Sequence, residues 1–379
     1  MKVLVLSVTA GEGHNAMGRA VINYLKERGH DGKMIDYYKG IDSKRAKLAN
    51  DLYFWTLRHF PKTSHRKYMK IQSRDVTRKT SKYNIFNLML NSKKAIENVE
   101  NTIKEYQPDM IFCTHLYTAT LMSRFKEEGK YLNITTFFIV SDFVTHPYTE
   151  NATNIDYLLT PNHDFDEILF KMGYKKEQLL PFGIVADSKF SRHLDKKDTR
   201  VKLGLDPNKT TILVMNGGAG FGNSLKLIKK LDELNDDFQV ILVNGRNEEM
   251  QQKVQDYLDS DGKHKVLNYG FVNNVDELMS SSDVMLGKIG GAGIAEAFNK
   301  NLPIICTGEP PFQEYDNLVY LTKRNIVIYS KDMDETCKII HDLVSNPEHL
   351  DYLKQNVKEI ARPNATKDFV EFMEKIYAK

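Results

Sequence analysis

Apolar runs and polar breaks alternate along this chain in a pattern that restarts at its middle. Val3–Val8 is a nearly continuous apolar run, as expected of a strand covered on both faces of a parallel sheet. Asn15–Arg28 follows at helical spacing and stops at Gly29. Met110–Thr114, Ile134–Val140 and Tyr157–Thr160 read as further strands, with helices over Ala95–Tyr106 and Phe165–Met172. The second half repeats the plan, with strands at Thr211–Met215, Phe238–Val243, Lys265–Leu267, Val284–Leu286 and Leu302–Cys306. Helices over Ser224–Leu234, Val275–Met279 and Ile294–Phe298 separate them. Strands alternating with helices, with a glycine loop after the first strand of each half, predict an α/β protein of two Rossmann-like domains facing each other across a cleft. The expected divisions are 1–185, closing through Pro181-Phe182-Gly183-Ile184, then 186–361, then 362–379. That last piece carries a helix, Lys367–Tyr377, expected to pack back on the first domain. Asp187–Asp206 has no convincing apolar period and reads as a bridge between domains.

Composition narrows the class. At 379 residues the chain is too long for one core, and 41% apolar with 27% charged residues is globular rather than disordered. A net charge of +3 gives no reason to invoke nucleic acid. The three cysteines, Cys113, Cys306 and Cys337, are far apart and suggest neither a disulfide framework nor a zinc site, so a reducing cytosol is expected. The apolar run at the N-terminus is too short for a signal peptide and ends in a glycine loop. No run approaches the roughly twenty apolar residues that span a bilayer. One segment departs from this even picture. Between Tyr53 and Lys94, eleven lysines and arginines face a single acid, Asp75, and aromatic residues including Trp55 lie among them. A surface resting on anionic lipid has these ingredients. So does a nucleic-acid surface, and so does a helical insertion with a solvated basic side.

Candidate chemistry gathers at the glycine loops. Gly11 and Gly13 precede His14, and with Ala16 they satisfy G-x-G-x-x-A, with Asp36 about twenty residues on. A dinucleotide-dependent oxidoreductase is therefore one reading. His14 supports another, because a helix N-terminus disfavours the imidazolium and keeps the ring neutral, ready to accept a proton. Asp142 and His146 follow the strand at 134–140, at the end where α/β sheets place their ligands. The second half has a glycine loop at 216–222, holding Gly218 and Gly220, and another at Gly290, Gly291 and Gly293. A glycine turn opening a helix suits a phosphate. Glu296, one turn into that helix, is placed for ribose hydroxyls, and Gln313, Glu314 and Asn317 form a polar fork suited to a sugar.

Taken together, GEGH at 11–14, SDFVTHPY at 141–148, PFGI at 181–184, NGGAGFG at 216–222, NGRN at 244–247, GFV at 270–272 and the stretch 288–317 resemble glycosyltransferase family 28. The likeness is greatest to its diacylglycerol-glycosylating branch, which includes the monogalactosyldiacylglycerol synthases. A more distant likeness is to the enzyme that adds N-acetylglucosamine to a lipid-linked cell-wall precursor. The resemblance implies a GT-B fold and inverting transfer of one or more hexoses from UDP-glucose or UDP-galactose to diacylglycerol. It implies His14 as the base, with Gly11, Gly13 and Asp142 around the acceptor. Phe271 and Val272 would meet the uracil, Glu296 the ribose, and Gly291, Ala292, Gly293, Gly218 and Gly220 the diphosphate. Arg246 would join the donor site, Gln313, Glu314 and Asn317 would hold the hexose, and His146 would flank it. Residues 53–94 would dock on an anionic membrane, with the protein peripheral on the inner face of the cell membrane. No metal and no other cofactor are expected, since the three D-x-D matches (Asp164–Asp166, Asp259–Asp261, Asp332–Asp334) fall at helix caps or surface turns. Two departures bear on the sugar pocket and the loop: Phe312 where the family often has glycine, and Glu12 before the histidine.

Overall fold

The computed structural model describes residues 1–9, 12–40, 90–215, 223–310 and 313–378. They fall into two compact units, one of Met1–Ser188 with Pro311–Gln313 and Asn364–Lys379 and one of Lys189–Pro310 with Glu314–Pro363. Residues 53–89 of the basic, aromatic segment, and Gly11, Gly218, Gly220 and Phe312, lie outside the described residues.

The first unit is built on a six-stranded parallel sheet in the order β2-β1-β3-β4-β5-β6. Its strands are β1 (Lys2–Ser7), β2 (Asp31–Asp36), β3 (Met110–Cys113), β4 (Thr135–Ile139), β5 (Tyr157–Leu159) and β6 (Leu179–Leu180). Val3 to Leu6 are inaccessible to solvent or nearly so, which is why this strand reads as an unbroken apolar run. The helix Gly13–Glu27 returns over the sheet at Gly18, where an added Cβ would lie 2.8 Å from Met34 Sδ and 3.0 Å from Val5 Cγ1. The helix Ala365–Tyr377 completes this core. Phe369 packs with its ring centroid 5.0 Å from Phe112 and 5.2 Å from Phe137, and Glu374 pairs with Arg28 and His30 at the edge.

The second unit carries its own six-stranded parallel sheet, β12-β11-β10-β7-β8-β9. Its strands are β7 (Thr210–Met215), β8 (Phe238–Val243), β9 (Lys265–Tyr269), β10 (Val284–Gly287), β11 (Ile304–Thr307) and β12 (Val327–Ser330). Asp187–Asp206, expected as a featureless bridge, instead contains a helix, Lys196–Lys202, built into this unit. Polar side chains hide it from periodicity, because ion pairs rather than an apolar stripe dock it. Arg200 is buried, donating from Nε to Ser281 O (2.8 Å) and from Nη2 to Asp283.

In both sheets the strand order reverses at one place, between β1 and β3 in the first and between β7 and β10 in the second. Loops leaving adjacent strands in opposite directions open a crevice there, the usual ligand position in such sheets. At the second reversal the strands run unusually close. A Cβ on Gly287 would lie 2.4 Å from Met215 O, so glycine is required at that position.

Candidate active site

His14 opens the helix that follows β1, and His115 caps the helix Leu116–Glu127 that follows β3, so the two flank the reversal of the first sheet. His14 Nδ1 lies 2.6 Å from Thr114 O. A carbonyl only accepts, so Nδ1 carries the hydrogen and the lone pair of the neutral ring is on Nε2. His115 has the opposite arrangement, its Nδ1 accepting from Tyr117 N at 3.1 Å. His146 does the same with Tyr148 N at 3.1 Å. The His14 and His115 rings meet edge to face with centroids 4.6 Å apart, and His115 stacks on Tyr117 at 4.8 Å.

Electrostatics keep this cluster neutral. Burial holds His14 below its ordinary value, while Asp142 and the Thr114 carbonyl pull it partly back. Burial, with His14 and His146 nearby, holds His115 well below the usual range. Burial alone brings His146 down to about 4. The first unit thus brings together three of the residues read from the sequence, His14, Asp142 and His146, and adds His115, which the sequence reading missed. Its signal was available: His115 stands just beyond the end of an apolar strand, the same kind of position that singled out Asp142.

Asp36, the residue that favoured a dinucleotide, is engaged locally. Its carboxylate accepts from Thr9 N (3.2 Å), Thr9 Oγ1 and Tyr38 N (3.0 Å). It serves the loop after β1.

In the second unit, the helix Gly291–Asn299 begins at the end of β10 with Gly290 as N-cap. It has no side-chain cap and no acid in its first turn, so Gly291, Ala292 and Gly293 place their N–H groups at a positive helix end. An added Cβ on Gly293 would meet nothing within 4 Å. Glu296 is half-buried one turn on.

Gln313, Glu314 and Asn317 lie in the first turns of a helix, Gln313–Thr322, rather than on a turn. Glu314 faces the N-cap, its Oε1 3.4 Å from a Cβ built on Gly290. Asn317, expected to reach a sugar, has no solvent exposure and donates from Nδ2 to Ile289 O at 3.0 Å. Its place is beneath the loop that Gly290 ends, holding the backbone in register.

Two neighbouring strands present the other residues singled out. Arg246 follows β8 and Phe271 follows β9, the guanidinium carbon 5.4 Å from the ring centroid. Phe271 is 58% exposed, and Val272 beside it is half-buried. An exposed ring under a guanidinium at the carboxyl edge of a parallel sheet is a stacking platform.

The D-x-D carboxylates are occupied with local work. Asp166 pairs with His163, Asp259 accepts from Gln255, Asp332 caps Glu335 N, and Asp334 pairs with Lys230. Among the described residues, no group of three or more His, Cys, Asp or Glu side chains could hold a metal ion.

Residues 14–186 match the monogalactosyldiacylglycerol (MGDG) synthase family, and residues 211–376 match the glycosyltransferase family 28 C-terminal domain. The chain belongs to glycosyltransferase family 28. Similar proteins include a processive diacylglycerol beta-glucosyltransferase of Staphylococcus epidermidis, 24% identical over 362 residues and spanning 94% of this chain and 88% of that one. Monogalactosyldiacylglycerol synthase 3 of Arabidopsis thaliana is 25% identical, over 97% of this chain and 80% of its own. Acinetobacter baumannii MurG superposes with a TM-score of 0.64 at 14% identity, covering 99% of both chains. This family 28 enzyme therefore has the GT-B architecture, with one Rossmann-like sheet in each unit.

Proposed function

We propose that this glycosyltransferase moves a hexose from UDP-glucose or UDP-galactose to the free hydroxyl of diacylglycerol, with inversion at the anomeric carbon. The observation that carries this reading is the fixed tautomer of His14. With Nδ1–H committed to Thr114 O, the Nε2 lone pair accepts the proton of the acceptor hydroxyl. The acceptor oxygen then forms its bond to the anomeric carbon as the bond to the UDP oxygen breaks. A base so placed contributes about 10²–10⁴-fold. Gly11, Gly13 and Asp142 shape the acceptor side around His14, and His146 flanks the sugar.

The second unit holds the donor in this proposal. Gly291, Ala292 and Gly293, with Gly218 and Gly220, turn backbone N–H groups toward the diphosphate and stabilise the charge that develops as UDP leaves. Phe271 and Val272 receive the uracil, with Arg246 over the ring. Glu296 binds the ribose, and Gln313 and Glu314 hold the hexose. Asn317 supports them through Ile289. Substrate class is suggested by the relatives named for diacylglycerol glucosylation and by the MGDG synthase family match.

No described helix is long and apolar enough to cross a membrane. We assign the approach to a lipid acceptor to the basic, aromatic stretch 53–94, with the protein peripheral on the inner face of the cell membrane.

Incubation with vesicles of diacylglycerol and an anionic lipid, with each UDP-hexose in turn, tests the reading. Mass spectrometry should find hexosyl-diacylglycerol with the wild-type protein and none with His14→Ala, while UDP still binds the variant. No lipid product from either donor, or full activity of His14→Ala, would overturn it.

A further inference from the structure

A chain of hydrogen bonds runs from the far side of the loop after β1 to the side chain of Thr114, the residue whose carbonyl holds His14. Thr114 Oγ1 donates to Ser7 Oγ (3.1 Å), and Ser7 Oγ donates to Asn15 Oδ1 (2.6 Å). Asn15 Nδ2 donates to Thr9 Oγ1 (2.9 Å), and Thr9 Oγ1 donates to Asp36 Oδ2. The direction is fixed from the end. Carboxylate oxygens accept, so Thr9 gives its hydrogen to Asp36 and must take one from Asn15, which orients that amide. Asn15 then accepts from Ser7, and Ser7 from Thr114. The Ser7 and Thr9 hydroxyls both give and receive, and such runs polarise one another. Ser7 and Thr114 have no solvent exposure. The run nearly closes on itself, because Asn15 is covalently next to His14 and Thr114 O accepts from His14 Nδ1.

We propose that Thr9, Asn15 and Ser7 are positioning residues, a relay anchored on Asp36 that fixes the Thr114 carbonyl against the first turn of the helix and so sets the tautomer of His14. The relay spans both ends of the loop carrying Gly11 and Gly13, and it accounts for Asp36, which the dinucleotide reading left without a role in sugar transfer. Its effect on the rate rests on His14 being the base, as proposed above; its effect on the ring does not.

The groups facing His14 among the described residues are Asp142 from the segment after β4 and His115 and Thr114 from the segment after β3, while Glu12, two residues back on its own element, pairs with Arg19. None belongs to the relay except Thr114, so cutting the relay elsewhere leaves these charges in place.

The test uses the full chain labelled with ¹⁵N-histidine and reads the His14 tautomer by long-range ¹⁵N–¹H correlation at neutral pH. The wild type should show Nδ1–H. Thr9→Val, which keeps the shape of the side chain and loses its hydroxyl, and Ser7→Ala should both shift His14 toward Nε2–H, and Thr9→Ser should keep Nδ1–H. If Ser7→Ala does not fold, Thr9→Val decides alone, since Thr9 is exposed. Transfer should fall about tenfold to a hundredfold in kcat, with donor KM unmoved. Thr9→Val should add nothing in a His14→Ala background. An unchanged Nδ1–H tautomer in the cut variants overturns the relay. A changed tautomer with an unchanged rate upholds the relay and instead removes His14 as the base.

Discussion

The His115 ring meets the His14 ring edge-on, with centroids 4.6 Å apart and planes inclined at 76°. His115 is itself held from two sides, by the Tyr117 N–H on its Nδ1 and by the Tyr117 ring against its face. It therefore acts as a wall that keeps water from His14. Asparagine at this position retains an acceptor for the helix cap and removes the wall. Because burial is the main reason His14 lies below its ordinary value, His115→Asn should let it rise toward 6.5. The neutral base is the active form, so the acid limb of the kcat profile should move to higher pH. The loss should be up to about fourfold near pH 6 and negligible near pH 8. A pH–rate profile with its acid limb in the wild-type place would show that the contact is only packing.

How far the sequence disclosed this arrangement depends on how each element is stabilised. β1, β3, β7, β8 and β10 are covered on both faces, and their apolar runs announce them. β2, with the sequence Asp31-Gly32-Lys33-Met34-Ile35-Asp36, is an edge strand with no fully buried position and was not legible as a strand. The helix Lys196–Lys202 was hidden because Asp283, not an apolar stripe, docks it. The glycine loops and His14 were readable because local chemistry demands those residues. His115 follows an apolar strand as Asp142 does, but only the pairing of β3 with β1 sets it against His14. The Asn317 partner, the loop carbonyl Ile289 O, was hidden for a related reason, since only the fold sets that side chain beneath the loop.

The neutral histidines make the fold sensitive to mild acid. His146 is brought by burial from 6.5 to about 4 in the folded state. Between those values the unfolded chain takes a proton that the folded chain refuses, so stability falls as pH drops from 6.5 and the loss levels off below about 4. A gap of that size corresponds to roughly 3 kcal/mol at most. His146→Asn, which keeps an acceptor for Tyr148 N, should flatten this slope. Urea melts at pH 7.5 and pH 5 check it, and a variant whose midpoint falls as far as the wild type's would rule out His146 as the source.

A second acid-sensitive group sits at the opposite edge of the other sheet. Asp283 accepts from Thr211 N at 2.9 Å and faces Arg200, Lys196 and Lys354. Burial opposes its charge, but the three cations prevail and hold it down to about 2. Its contribution is therefore present above pH 3.8 and lost as pH falls through about 2, a window separate from that of His146. Asp283→Asn preserves shape but leaves Arg200 buried without its counter-charge, which should cost about 3–5 kcal/mol. The cost should show as a lower thermal midpoint at pH 7. A midpoint within a degree or so of wild type would mean that the cations are solvated without Asp283.

Two glycines of the second unit should respond in opposite ways to added bulk. A Cβ on Gly287 would press on Met215 O at 2.4 Å, and a backbone atom cannot turn aside as a side chain can. Gly287→Ala should therefore force β10 from β7 where the sheet order reverses, costing about 1–3 kcal/mol, with a lower melting temperature even without ligand. Gly293 has open space where its Cβ would be, so Gly293→Val should melt close to the wild type alone. If that space receives the diphosphate, the same variant should lose the rise in melting temperature that UDP gives the wild type, since only a ligand held by the folded state raises it. Thermal melts of both variants with and without UDP separate the two effects. A Gly293→Val protein that UDP stabilises as fully as the wild type would move the diphosphate away from this helix end, leaving Gly287 as a requirement of the fold alone.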